Sequence, residues 1–210
     1  MKLIEMDLKG FSMALGGDSA APGGGSASAY AGSLSAALCA MVARLTIGKK
    51  KYENMWPLME TIRDEGDKIS ETLMSLVDED TEAYNGVMAA FKLPKGTDVE
   101  KANRTEAIED ATKEAARVPM ETLRTVSKLA DLVSNAVHKG NANCLSDAGV
   151  GAQLMRTAAI GAAYNVRINL SGIKDSAFKN SIDKECAELL SLVKEKADEI
   201  DKIITASFSS

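Results

Sequence analysis

Aromatic residues are scarce in this chain: four Phe, four Tyr and one Trp, 4% of 210 residues. The 45% of the chain that is hydrophobic must therefore be mostly Ala, Leu, Ile, Val and Met. There are only four prolines, which suits long helices better than many strands and turns. The three cysteines, Cys39, Cys144 and Cys186, are odd in number and far apart. That excludes a disulfide framework and a metal-binding cysteine spacing, so no metal is expected and a reducing, cytoplasmic setting is. His138 is the one histidine, and no Ser-His-Asp or Cys-His arrangement can be assembled around it. Near a helix end its charge is useful without any chemistry. Positive charge is not in excess either. A net charge of −5 excludes the basic face of a nucleic-acid binder. The charge-free run over 27–43 falls short of the ~20 apolar residues of a membrane span and is rich in weakly apolar Ala and Ser. Neither a membrane span nor a signal peptide is expected, the latter because Glu5 and Asp7 stand near the start.

What is present fits one helical domain over 1–210, long enough to bury a sizeable core. The chain is organised around 18–52. Pro22-Gly23-Gly24-Gly25-Ser26 is a glycine turn ending on an N-cap candidate, followed by a thin helix from about Ser26 to Ile47. Such a turn exposes backbone N–H groups at the positive end of a helix dipole, where an anion or a polar ring edge can bind. The equal alternative is a loop and core helix without a ligand. Gly23-Gly24-Gly25-Ser26 lacks the lysine of a nucleotide-binding loop. Side chains this small allow close backbone approach, at the centre of a bundle or at a subunit interface.

A short helix carrying Leu3, Leu8, Phe11 and Leu15 precedes this stretch. A long one follows over about 52–91, with Leu73, Leu76, Val77, Tyr84, Val87 and Phe91 at helical spacing. Thr97 and Glu100 form a capping-box pattern for a fourth helix, which Pro119 should kink. Ser146 can cap a fifth, again thin, with Asp147 in its first turn. The last runs from about Asp175 to Ala206. The expected fold is an all-α bundle of about five to six long helices, its small-residue faces pointing to a homodimer or larger assembly.

Asp80 stands on the apolar stripe of the third helix. A carboxylate on a buried face needs a partner or a purpose, and burial can make it an acid or base near neutral pH. The structural alternative is a hydrogen bond to Tyr30, Tyr164 or Asn165, or a salt bridge to Arg104, which lies on the inner stripe of the fourth helix. Asp147 complements a helix dipole without further function. Asn141 and Asn143 beside Gly140 can cap turns. Lys49, Lys50 and Lys51 run from the end of one helix to the start of the next, where positive charge is unfavourable. A solvated face explains three lysines, and an anionic ligand explains their placement better.

The PGGGS run, the small-residue helix and the closing LTIGKKKYE resemble the cyclodeaminase/cyclohydrolase family of folate one-carbon enzymes, which includes the cyclodeaminase half of formiminotransferase-cyclodeaminase. The likeness continues through 80–84, Leu93-Pro94-Lys95, 140–143, 146–149 and 165–170. It implies a dimeric helical enzyme with a tetrahydrofolate derivative as substrate and no bound cofactor. The expected reaction is formiminotetrahydrofolate cyclodeamination, with methenyltetrahydrofolate cyclohydrolysis as the alternative and a non-catalytic helical scaffold as an alternative of another class. The resemblance implies a cleft between Gly23–Ser26, Asp80, Arg104 and the 141–147 loop. In it Asp80 and Asp147 divide the proton transfers, and Gly23, Gly24, Gly25, Ser26, Arg104, Asn141 and Asn143 bind substrate. The two asparagines suit the mixed donor–acceptor edge of a pterin, and Lys49 and Lys50 suit the glutamate tail.

Overall fold

The computed structural model describes residues 2–208 as six α-helices joined by short 3-10 turns and loops, with no strand among the described residues. The helices are α1 (Leu8–Leu15), α2 (Gly24–Arg44), α3 (Trp56–Phe91), α4 (Asp98–Lys139), α5 (Leu145–Leu170) and α6 (Ser176–Phe208). This is the expected all-α bundle.

Local differences from the expectation have physical causes. The N-cap of α2 is Gly23, so Ser26 lies inside the first turn rather than capping it. Cys144 occupies the N-cap position of α5 after a single 3-10 turn over Ala142–Cys144, so Ser146 is likewise inside and Asp147 stays in the first turn. A 3-10 segment over Lys50–Met55 precedes α3 and delays its start to Trp56, with Pro57 in the first turn, where its missing N–H is harmless. The capping box of Thr97 and Glu100 is formed. Helix α4 continues through the buried Pro119 as one element.

Helix α2 is the centre of the bundle, packed on α3, α4 and α5. Gly32 shows why it must be thin: a Cβ there would come within 2.9 Å of Val126 Cγ2 and 3.0 Å of Leu73 Cδ1. With no aromatic side chain among the buried residues, Leu73, Met120, Leu123, Leu129, Met155 and Ile200 complete the core, each contributing about 1.5–3 kcal/mol by burial. Helices α3 and α5 run antiparallel to α2. Ser33 and Ser70 hydroxyls meet at 3.0 Å between α2 and α3, and the Ser35 hydroxyl donates to the Gly151 carbonyl of α5 at 2.7 Å. Among the described helices, α2 alone is long and apolar enough to cross a membrane, and most of it is buried against its neighbours. Its outer face exposes Leu34 and Ala37, with Leu45 just past its end, and its one charge is Arg44 in the last turn, paired with Asp67 of α3. Val150, Tyr164 and Ile168 are exposed on the neighbouring α5.

Candidate functional site

The first turn of α2 meets the middle of α3 because the two helices are antiparallel and three glycines leave room. The Ser26 N–H donates to Asp80 Oδ2 at 2.8 Å, and the Ser26 hydroxyl donates to the same oxygen at 3.0 Å. Thr81 Oγ1 stands 3.3 Å from that hydroxyl. A Cβ on Gly25 would lie 2.6 Å from Asp80 Oδ2 and closer still to Oδ1, so the carboxyl occupies the space of a missing side chain. Burial pushes the Asp80 carboxyl above its ordinary range, and the two Ser26 hydrogen bonds pull it back in part. Ser26 is fully buried and Asp80 half-buried. Asn165 of α5 closes the turn from the other side. Its amide nitrogen would be 3.3 Å from a Cβ on Gly24 and donates to the Gly161 carbonyl at 2.8 Å.

The partner of Asp80 is thus none of the four expected. Tyr30 packs edge-on to Phe11, Tyr164 is exposed and Asn165 bonds Gly161. Arg104 donates through Nη2 to the Phe91 carbonyl at 3.0 Å, with its guanidinium over the Phe91 ring. Phe91 is eleven residues beyond Asp80, about 16 Å along the helix, so Arg104 fastens the end of α3 to α4 and lies outside this cluster.

The other predicted residues gather at the opposite end of α2. Asn141 is buried. Its N–H donates to Thr46 Oγ1 at 2.8 Å, its side chain donates to the Leu45 carbonyl at 3.1 Å, and its Oδ1 accepts from Asn143 N–H at 3.2 Å. Ala142 N–H donates to the Tyr52 hydroxyl at 3.1 Å. Burial and the nearby Asp147 carboxylate push the Cys144 thiol up while Lys49 pulls it down, so Lys49 and Asp147 flank one buried thiol. Asn143, Lys49, Lys50 and Lys51 are exposed, and Lys51 lies over the Tyr52 ring. The two clusters are separated by the 21 residues of α2, about 30 Å at helical rise. A single copy of the chain therefore does not enclose the expected cleft. His138 sits in the last turn of α4, exposed and bonded to the Ser134 carbonyl. Among the described residues no group of three His, Cys, Asp or Glu is placed to hold a metal ion.

Residues 7–188 match the family model described as formiminotransferase-cyclodeaminase. The chain belongs to that family. It is 39% identical over 154 residues to a methenyltetrahydrofolate cyclohydrolase of Methylorubrum extorquens, covering 73% of this chain and 74% of that one. It is 36% identical over 161 residues to the formimidoyltransferase-cyclodeaminase of Mus musculus, covering 77% of this chain and 30% of that longer protein. The crystal structure of a formiminotetrahydrofolate cyclodeaminase from Thermotoga maritima superposes with a TM-score of 0.88 at 30% identity, covering 97% of this chain and 98% of that one. Thr81 is the site neighbour that the sequence left unnamed, and Asn165 was named there only as a possible hydrogen-bond partner of Asp80. Asn165 was detectable, since with Gly161 and Asn169 it continues one face of α5.

Proposed function

We propose that this chain is a folate one-carbon enzyme that converts 5-formiminotetrahydrofolate to 5,10-methenyltetrahydrofolate and ammonia. The observation that carries the reading is the Asp80 carboxyl, seated on Gly25, held by Ser26 and raised by burial. Cyclodeamination needs an acid beside the departing nitrogen, and a carboxyl raised above its ordinary range is a better acid at neutral pH than an exposed one. N10 attacks the formimino carbon, the new C–N bond forms, and the proton leaving N10 must reach the nitrogen that departs as ammonia.

The second reading, hydrolysis of methenyltetrahydrofolate to 10-formyltetrahydrofolate, is favoured by the Methylorubrum extorquens relative. Both reactions pass through a tetrahedral carbon between nitrogens, and one site can support either. The test is the ratio of kcat/KM on the two substrates with ammonia followed directly. Methenyltetrahydrofolate hydrolysis without ammonia release from the formimino compound would replace the first reading by the second. Failure to bind tetrahydrofolate derivatives in calorimetry would leave the helical scaffold.

The active assembly in this reading is a homodimer in the cytoplasm. The support is the outer face of α2, which carries no charge before Arg44 in its last turn, with the exposed Val150, Tyr164 and Ile168 of α5 beside it. Two such faces paired antiparallel about Leu34, the middle of α2, bring the Asp80 end of one protomer to the Lys49–Asp147 end of its partner. The partner's Asp147 then shares the proton transfers, Lys49 and Lys50 hold the glutamate tail, and Asn143 offers its exposed amide to the pterin edge. Asn141 serves as the buried latch behind it. Asp80→Asn and Asp147→Asn chains, inactive alone, should regain activity when mixed. Mixtures that stay inactive would refute the shared site.

A further inference from the structure

The bonding of Asp80 is lopsided. Oδ2 accepts both donors of Ser26, at 2.8 and 3.0 Å. Oδ1 accepts no protein donor among the described residues and is not among the fully buried unpaired atoms, so it keeps contact with solvent. Ser26 itself is fully buried, which keeps its hydroxyl from being diverted to water. Thr81 Oγ1 at 3.3 Å completes a chain. With the Ser26 hydroxyl donating to the carboxylate, the Thr81 hydroxyl is the donor to Ser26.

We propose that Ser26 is a positioning residue that decides which oxygen of Asp80 exchanges protons with substrate, reserving Oδ2 as a fixed acceptor and leaving Oδ1 as the reacting atom. An oxygen that accepts two hydrogen bonds is a poor place for a proton, so the proton of the neutral carboxyl resides on Oδ1. Gly25 supplies the seat, since any side chain there would displace the carboxyl. The inference rests on the reading of Asp80 as a proton-transfer group. In the deaminase direction it gives one balanced path from the amidinium form of the substrate. N10 forms its bond to carbon and loses its proton to Oδ1. Oδ1–H returns that proton to the substituent nitrogen, which leaves as ammonia with the electron pair of the broken C–N bond. The positive charge remains on the methenyl bridge.

The Ser26 bonds favour the charged carboxylate, so removing one has a direction. In kcat–pH profiles on 5-formiminotetrahydrofolate, Ser26→Ala should lower kcat about tenfold. It should also move the Asp80-dependent limb to higher pH with KM unchanged. Ser26→Thr should restore both. Thr81→Val should move the same limb in the same direction by a smaller step. A limb in Ser26→Ala that stays at its wild-type position overturns the proposal. If Ser26→Ala does not fold, Thr81→Val decides alone, and an unmoved limb there is equally fatal. The underlying reading fails separately: Asp80→Asn with near-normal kcat would show that Asp80 moves no proton.

Discussion

The two ends of α2 are built from the same kinds of residue and finished differently. Each brings a glycine-containing turn, small hydroxyl side chains and an acidic residue to a helix terminus. At the far end the polar groups close on one another. Thr46, fully buried, donates to the Val42 carbonyl and accepts from Asn141, whose side chain ties Leu45 to Asn143 while Tyr52 takes Ala142. That is a latch between α2 and the α4–α5 connection. At the near end one buried hydroxyl and one backbone N–H converge on a single carboxylate oxygen, and the other oxygen stays open. A polar cluster that satisfies itself holds the fold. One that leaves an acceptor free in a half-buried place has chemistry available to it.

The largest effect that tests this contrast is at Asp80. Asp80→Asn preserves shape and should lower kcat by ~10²-fold or more, measured by ammonia release under saturating substrate. Gly25→Ala comes next, because its Cβ enters the space of the Asp80 carboxyl. We expect an activity loss approaching that of Asp80→Asn with about 1–3 kcal/mol of destabilisation, read from urea unfolding. At the latch the balance reverses. Asn141→Ala strands the Leu45 carbonyl and the Asn143 N–H and should cost about 1–3 kcal/mol of stability, while kcat of the folded enzyme holds. An equal loss of kcat at both ends would erase the distinction. Lys49→Glu with Lys50→Glu should raise KM for polyglutamylated substrate more than for the monoglutamate, and added salt should narrow the gap.

The smallest effect is a pH-dependent one. Because the folded Asp80 pKa is raised, its contribution to stability is intact below the ordinary carboxyl range and is lost as pH rises through the folded value. Wild type and Asp80→Asn should therefore differ least in Tm near pH ~4. The variant should gain on wild type toward neutrality. A variant that instead loses on wild type toward neutrality would mean that Asp80 acts as a stabilising charge.

The fold was legible because each long helix repeats its apolar residues at helical spacing, and the stripe that holds Leu73, Leu76 and Val77 also marked Asp80 as a buried carboxylate. Its partner was misread for an equally local reason. A serine after three glycines has the signature of a cap, yet glycine permits helical geometry, and α2 begins two residues early with Ser26 turned toward α3. Arg104 shared the inner stripe of α4, but stripe membership fixes an angle around the helix and not a level along it. That level is set by the short loop after Phe91, which brings the start of α4 beside the end of α3. The separation of the Asp80 and Asn141 clusters was hidden for the same reason. Their motifs adjoin opposite ends of one helix, and no spacing rule reveals that until its length becomes a distance.

Cys39 lies in mid-α2, Cys144 at the latch and Cys186 in α6, all three unpaired and each at most 4% exposed. Burial pushes the Cys39 thiol up to about 12, so in the closed protein it offers almost no thiolate to an alkylating reagent. The molecule thereby carries three internal clocks of local opening. Alkylation resolved by peptide mass would time the breathing of the latch, the bundle centre and the outer helix separately. If the latch is the looser closure, Cys144 is tagged first and Cys39 only when the whole bundle comes apart.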